Sequence, residues 1–547
     1  MKKITKLLTQ SVATLGLLAH GLFAQEPQAG WPVVSPPPGG PWAFHSMSMG
    51  DLDSDGLLEV IGYQIAQCRS WAFDGDGSHI ASWLFTPGTM FCPGTQEFLH
   101  IGDITGDGVP EVLFLGSSEN HVLFALDRFG QGIPGWPVVV GGPGAVGHEI
   151  GRVVLADLNG DDVLEVIVQD RGFGYASKLW VYDGQGNVLP GWPVDFDLLL
   201  AGLAVGDLEF DGVPEIVVSI ADGFDPWIGP QPIYVLGPDG AVRDGWPVTI
   251  VGGDGPRVLI NVTIADLDGD YSCEIFGTGP DAFYALDASG ELRFWMFNFP
   301  YVVPPAVGDL DGDGTLEILV PSNGLTLMSS EGSIMAQIPG DAAYTFYNGL
   351  NIGDLDGDGV CEIGARSIAP PAMCWFDSEL EPLPGWPRPI SPGAATPPRY
   401  VIGLTDLDGD GDLESIYPND GVIEAWDFPN PNGPTRVEWG SYYHDPQRTG
   451  FYHSNNYPGP RFLRGDVDVN GTIDLGDACQ GLRYLFQGIA HSCPARIDFD
   501  GDAVVDICDV VSQLQYTFLG GPPPSAPFPN CREVKGEPLP CARQACP

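Results

Sequence analysis

A chain of 547 residues with 72 acidic against 23 basic side chains carries a formal net charge of −49, which repels phosphate backbones and excludes nucleic acid as a partner class. Its 44% apolar and 11% aromatic content excludes the disordered chain that such a charge otherwise suggests. The acids recur at fixed spacings inside short loops, so their charge reads as addressed to cations.

Residues 1–24 place Lys2, Lys3 and Lys6 ahead of a short apolar stretch, with the small Ala24 at the expected cut. That is the pattern of a secretory signal peptide, and it predicts a secreted, extracellular or surface-attached mature chain. No later segment approaches 18 continuous apolar residues, so no transmembrane segment is expected after cleavage.

From residue 51 onward one acidic loop returns eight times, at intervals of 43 to 59 residues. With oxygen-bearing side chains at positions 1, 3, 5 and 9, the copies are Asp51, Asp53, Asp55, Glu59; Asp103, Thr105, Asp107, Glu111; Asp157, Asn159, Asp161, Glu165; and Asp207, Glu209, Asp211, Glu215. They continue as Asp266, Asp268, Asp270, Glu274; Asp309, Asp311, Asp313, Glu317; Asp354, Asp356, Asp358, Glu362; and Asp406, Asp408, Asp410, Glu414. Gly usually follows position 5, where the chain must turn with positive φ. Hard oxygen donors in this number, with a backbone carbonyl near position 7, suit Ca²⁺ at about 2.3–2.6 Å. Thr105, Asn159 and Tyr271, which stands at the turn position of the fifth loop, predict weaker or wetter sites in loops two, three and five. Thirty carboxylates in these loops would repel one another without cations, so metal occupancy and folding are expected to be coupled.

Each loop sits between a short apolar segment, such as Arg152 to Ala156, and a β-branched run, such as Glu165 to Val168. A third apolar segment ends in a turn, and a fourth opens with Gly-Trp-Pro at Gly30, Gly135, Gly191, Gly245 and Gly385. Four short strands per repeat describe a blade, and the repeats predict a mainly β fold: an eight-bladed β-propeller, or seven blades if one copy lies outside the ring. The loops resemble the FG-GAP/VCBS-type repeats of integrin α-subunit propellers and their bacterial relatives, over roughly residues 30–450. This resemblance implies a rigid disc held by structural calcium, with interaction surfaces on its loops. Trp439 to Gly450 resembles the closing segment of bacterial members and places the propeller end near residue 455.

After Pro458-Gly-Pro460 the pattern changes to loop and helix. Asp466, Asp468, Asn470, Asp474 and Asp477 occupy positions 1, 3, 5, 9 and 12 of a twelve-residue loop with EF-hand spacing. Its helix is expected to pack Leu482, Leu485 and Phe486 inward. A second copy carries Asp498, Asp500, Asp502, Asp506 and Asp509, with Ala503 in place of the turn glycine, which predicts a weaker or strained site. The pair resembles a type I dockerin, in the cysteine-bearing version of exported planctomycete-like bacterial proteins. Positions ten and eleven, which the resemblance assigns to cohesin contact, are Leu475-Gly476 and Ile507-Cys508, unlike the Ser-Thr of cellulosomal dockerins. A cohesin-like or surface partner and a stapled anchoring cap are both compatible with this module. Six of the eleven cysteines (Cys479, Cys493, Cys508, Cys531, Cys541, Cys546) fall in the last 69 residues, which predicts disulfide stapling there. Arg464-Gly465-Asp466 spells an integrin-recognition tripeptide, read as coincidental because Asp466 is the first expected ligand. The organisation expected is a signal peptide at 1–24, a propeller at 30–455, a linker at 456–461 and the dockerin-like module at 462–547.

Catalysis needs residues that break the repeat. The histidines, among them His45, His100, His121 and His148, lack metal-triad spacing and read as packing or loop residues, and no G-x-S-x-G elbow occurs. The expectation is therefore a monomeric adhesion or ligand-binding scaffold for a glycan or protein, with no catalytic residues. The alternative is a polysaccharide-degrading propeller lyase carrying a dockerin; its base would have to come from Lys178, Arg152, Arg257 or Arg399. Quinone-dependent dehydrogenases share the eight-blade form, but no adjacent cysteine pair is present.

Overall fold

The β-branched run after each acidic loop forms the second strand of an antiparallel sheet, and the apolar segment before the loop forms the first. A computed structural model describes most of residues 26–533, leaving out 35–45, 65–68, 85–98, 116–121, 142–147, 173–176, 222–231, 298–303, 340–344, 391–401, 431–434, 453–460, 468–472, 488–493, 526–531 and shorter stretches. The expected signal peptide lies outside the described residues. Eight sheets follow in chain order, spanning 46–84, 100–139, 148–196, 199–257, 261–297, 306–338, 346–389 and 403–428. They make an eight-bladed β-propeller, so no copy of the loop falls outside the ring.

The ring is closed by strands from the two ends of the propeller. Glu26–Pro27 and Val33–Val34 pair with Val422–Phe428, giving the eighth blade its outer strands from the start of the chain. Apolar cores lie between neighbouring blades: Trp31 and Val33 pack with Met47, Val60 and Trp71 of blade 1 and with Leu407, Ile416 and Ile423 of blade 8. Burial of this kind, at about 25 cal/mol per Å² of apolar surface, is what stacks units that could not fold alone.

At three of its five copies Gly-Trp-Pro latches one blade to the next through the indole. The Trp31 indole N–H donates to Gly75 O at 2.9 Å, Trp136 to Gly184 O at 2.9 Å and Trp192 to Pro238 O at 3.0 Å. All five Trp-Pro bonds are cis. The glycine permits the approach, because a Cβ on Gly135 would stand 1.8 Å from Gln185 O while φ is +93°.

The described residues of 436–452 lie against the first strands of several blades. Arg436–Trp439 pairs with the first strand of blade 7, Leu404 N–H of blade 8 donates to Gly440 O, Val205 N–H of blade 4 to Thr449 O, and Ile264 N–H of blade 5 to Gly450 O. In blade 3, Arg152 donates to the carbonyl of Arg448 at 2.6 Å. The closing segment predicted from sequence thus touches the innermost strands of several blades.

Beyond the propeller come helices α1 (Leu475–Gln487), α2 (Pro494–Ile497) and α3 (Ile507–Leu519). Asp506 caps α3 in a capping box with Asp509, and Gly520 ends it in the left-handed conformation. The expected inward packing of α1 is not what forms: the helix buries Asp477, Ala478 and Gly481, while Leu482 and Phe486 are exposed, Phe486 by 71%. No described helix is long and apolar enough to cross a membrane.

Candidate metal centres

Every acidic loop connects the innermost strand of its blade to the second strand, which gathers the loops on one face of the disc. Their backbone is set by the acids themselves. Position 5 accepts from the N–H two residues on in all eight copies, at 2.8–3.0 Å, an Asx turn. Position 1 gathers further N–H groups: Asp103 Oδ2 accepts from Gly108, and Asp354 Oδ2 from Gly359. The predicted turn glycine adopts positive φ in six loops, from +83° at Gly108 to +95° at Gly56 and Gly411. Tyr271, at this position in the fifth loop, lies outside the described residues.

The position-9 glutamates are the fixed points. Each places Oε2 on the N–H of position 2, from Leu52 to Glu59 through Leu407 to Glu414, in all eight loops. Burial pushes Glu59, Glu111, Glu165, Glu215, Glu274 and Glu317 up to about 7, with neighbouring aspartates adding to the rise. Glu362 rises to about 8 and Glu414 to about 9 for the same first cause. A buried carboxylate ringed by like charges is unfavourable by itself and favourable around a dication.

The geometry fits such an ion. Asp51, Asp53 and Glu59 bring one oxygen each within 4.8 Å of one another, as do Asp103, Asp107 and Glu111; Asp266, Asp268 and Glu274; Asp309, Asp311 and Glu317; and Asp354, Asp356 and Glu362. Oxygens on opposite sides of one Ca²⁺ are separated by about twice the 2.3–2.6 Å bond. Asp309 Oδ1 is buried and accepts no hydrogen bond among the described residues.

Neighbouring loops are stitched together by the residue before the glutamate. Leu164 N–H donates to Asp103 O at 3.1 Å, Cys273 N–H to Leu208 O at 2.7 Å and Cys361 N–H to Leu310 O at 2.7 Å. Three arginines, which sequence reasoning passed over, also reach the loops. Arg243 ion-pairs with Glu209 and, at 3.1 Å, with Glu215; Arg293 pairs with Asp268 at 2.9 Å and Glu274 at 2.7 Å; Arg436 donates to Asp309 O at 2.8 Å. Their common register offered a signal, since Arg243 and Arg293 each stand two residues after the same turn contact.

The two C-terminal loops repeat one scheme. Asp477 accepts from Val467 N–H at 2.7 Å and Asp474 N–H at 2.8 Å, and Asp509 accepts from Phe499 N–H and Asp506 N–H at 2.8 Å each. Arg464 pairs with Asp498 at 2.8 Å while Arg496 reaches Asp466 at 3.8 Å, so the arginine ahead of each loop serves the other. Arg464 is buried, which removes the tripeptide at 464–466 as a recognition site. Asp468, Asn470, Asp502 and Ala503 lie outside the described residues. The expected stapling is not made through Cys479 and Cys508, which are exposed free thiols; Cys493, Cys531, Cys541 and Cys546 lie outside the described residues.

The residues considered as bases are engaged elsewhere or undescribed. Arg152 is buried against the carbonyls of Leu203 and Arg448, and Lys178 pairs with Asp195. Arg399, His45 and His121 lie outside the described residues, as do the side chains of Arg257 and His148. His100 is fully buried, and burial together with Arg448 and Arg152 holds its imidazole well below the usual range, so it packs as a neutral ring.

The fold is similar to that of exotype rhamnogalacturonan lyase YesX, at 17% identity over 75% of this chain and 76% of that one, with a TM-score of 0.51. Rhamnogalacturonan lyase PL11 of Bacillus licheniformis matches at 16% identity over 76% of each chain, with a TM-score of 0.45. The biofilm matrix protein Bap1 of V. cholerae matches at 14% identity over 83% of this chain and 96% of that one, with a TM-score of 0.41. No protein-family description and no curated protein matches the chain. At such identity the likeness to YesX concerns the propeller fold, which is compatible with a ligand-binding protein and with an enzyme.

Proposed function

We propose that this chain is a secreted, calcium-loaded propeller of the FG-GAP/VCBS type that binds a glycan, with a dockerin-like C-terminal module for attachment. One observation supports a ligand site in particular. A cavity of about 530 Å³ opens beside the acidic loop of blade 2, lined by Thr105, Asp107, Glu111, Arg128, Phe129 and Gln185 among others. Phe129 is 70% exposed and Arg128 lies 4.9 Å over its ring. An exposed aromatic face beside acids and amides suits a sugar, whose C–H face stacks while its hydroxyls hydrogen-bond. Ca²⁺ held by Asp103, Asp107 and Glu111 would supply a Lewis-acidic centre for hydroxyl oxygens in the same cavity.

Attachment is assigned to α1 and α3, where Phe486, Phe518 and Leu519 are exposed by 71%, 62% and 81%. Exposed apolar side chains in this number mark contact surfaces. Fluorescence binding of the mature chain to a panel of acidic and neutral polysaccharides, with and without Ca²⁺, tests the reading. Calcium-dependent binding that falls at least tenfold in Phe129→Ser supports it. Binding unchanged by that substitution, or turnover of a uronic-acid polysaccharide with release of unsaturated ends, overturns it in favour of a different site or of a lyase.

A further inference from the structure

The eight loops divide into two groups by what reaches Oε1 of the position-9 glutamate, the oxygen left over after Oε2 has taken the position-2 N–H. In loop 2 Thr105 Oγ1 donates to Glu111 Oε1 at 3.2 Å, and in loop 3 Asn159 Nδ2 donates to Glu165 Oε1 at 2.8 Å. In loops 4 and 5 the donor is an arginine, Arg243 on Glu215 Oε1 at 3.1 Å and Arg293 on Glu274 Oε1 at 2.7 Å. Glu59, Glu317, Glu362 and Glu414 receive no donor on Oε1 among the described residues. Those four loops carry aspartate at position 3 and four carboxylates each, with no guanidinium among them at Oε1.

The arginines are a departure from the repeat. At their register, two residues after the turn contact, blade 1 carries Ile80, blade 2 Ile133, blade 3 Leu189, blade 6 Met335 and blade 7 Leu383. Among the described residues, Arg243 and Arg293 bring a fixed positive charge from their own blade onto the position-9 glutamate, whereas Arg436, from the segment after blade 8, meets loop 6 at Asp309, 4.0 Å from Oδ2, and pairs with Glu438 rather than Glu317. A guanidinium bonded to positions 3 and 9 repels a dication and uses two of its oxygens.

We propose that Arg243 and Arg293 are tethered cations that take over part of the metal's role in blades 4 and 5, so that the propeller has two classes of calcium site. This rests on the calcium reading above. Loops 6, 7, 8 and 1 form the tight class. They are consecutive around the ring, because blade 8 abuts blade 1 through Trp31 and Gly75. Loops 2 to 5 form the weak class and are held by their own donors. At limiting calcium, metal is therefore concentrated on the half of the disc that contains the closure, where the N-terminal strands join blade 8, and loop 2 fills only as calcium rises.

Ca²⁺ titration of the metal-stripped mature chain by isothermal calorimetry, with bound calcium counted by atomic emission after dialysis, tests this. The propeller should show four tight sites and a second set at least tenfold weaker, any C-terminal sites being subtracted with the variant Asp477→Asn, Asp509→Asn. In Arg243→Leu, Arg293→Leu, which installs the residue of blades 3 and 7, the tight set should rise to at least five, because loop 4 has four carboxylates and Gly212 while loop 5 keeps Tyr271 at its turn. Should that variant not fold, Leu383→Arg in blade 7 should lower the tight set to three. A single class of eight in the unsubstituted chain, or a tight count that ignores either substitution, overturns the proposal and leaves the calcium reading intact. Absence of bound calcium altogether overturns the calcium reading itself.

Discussion

Replacing Trp31 with phenylalanine should loosen the seam where the ring closes. The indole is buried, with its N–H on Gly75 O at 2.9 Å and its ring edge-on to Phe73 at 6.2 Å. Trp31→Phe removes the donor and leaves the carbonyl of Gly75 unpaired in the interface, at a cost of about 1–3 kcal/mol; the smaller ring adds roughly 1 kcal/mol of cavity. Trp386 stands at the matching place in blade 7, equally buried, and its indole N–H has no partner among the described residues. Trp386→Phe therefore deletes an unsatisfied donor and keeps stacking on Phe428, whose ring lies 5.9 Å away. Urea unfolding in saturating calcium should place Trp31→Phe below Trp386→Phe by about 1–3 kcal/mol, at equal slopes. Equal losses in the two variants would show that the latch is packing alone and that its hydrogen bond contributes nothing.

Stability without metal should depend on pH in a direction set by the buried glutamates. Six of them are raised from 4.5 to about 7 by burial and neighbouring acids. The folded chain then holds more protons than the unfolded one, so stability in chelator should be greatest below about pH 4.5 and fall as pH rises through about 7. Loop 8 should extend the fall, because Glu414 is raised to about 9. Saturating calcium should flatten this slope; a chelated protein that gains stability between pH 5 and pH 7 would contradict the assignment. Native thiol mapping by alkylation and mass spectrometry should label Cys479 and Cys508, and label Cys273, Cys361 and Cys374 only after denaturation. Recovery of Cys479 or Cys508 in a disulfide would refute the structure of that module.

The eight-blade ring was readable because one loop with oxygen side chains at fixed positions recurs between apolar segments, and such a repeat has few ways to bury its faces. Glu59 through Glu414 could be named as candidate ligands for the same reason, since position 9 stands at the start of the second strand, as its first residue in blades 1 to 7 and its second in blade 8. Arg243 and Arg293 escaped because their partners are 19 to 34 residues away in sequence, from Arg293 to Glu274 and from Arg243 to Glu209, and Arg436 because Asp309 is 127 residues away; periodicity within one strand does not reveal a pair made across a blade or between blades. Gly-Trp-Pro was legible as a strand opening, but the role of its indole depends on the next blade's turn. Leu482 and Phe486 misled because helical spacing shows that a face is apolar, and what covers it is a tertiary matter.

The central claim is that the clustered acids cage divalent ions and thereby let the blades stack. Its most direct measurement is thermal unfolding of the mature chain before and after exhaustive chelation, with the metal content of both samples determined. Calcium should be recovered from the untreated protein, and its removal should lower and broaden the cooperative transition, with recovery on adding Ca²⁺ back. An unshifted cooperative transition in a protein that never contained metal would contradict the account.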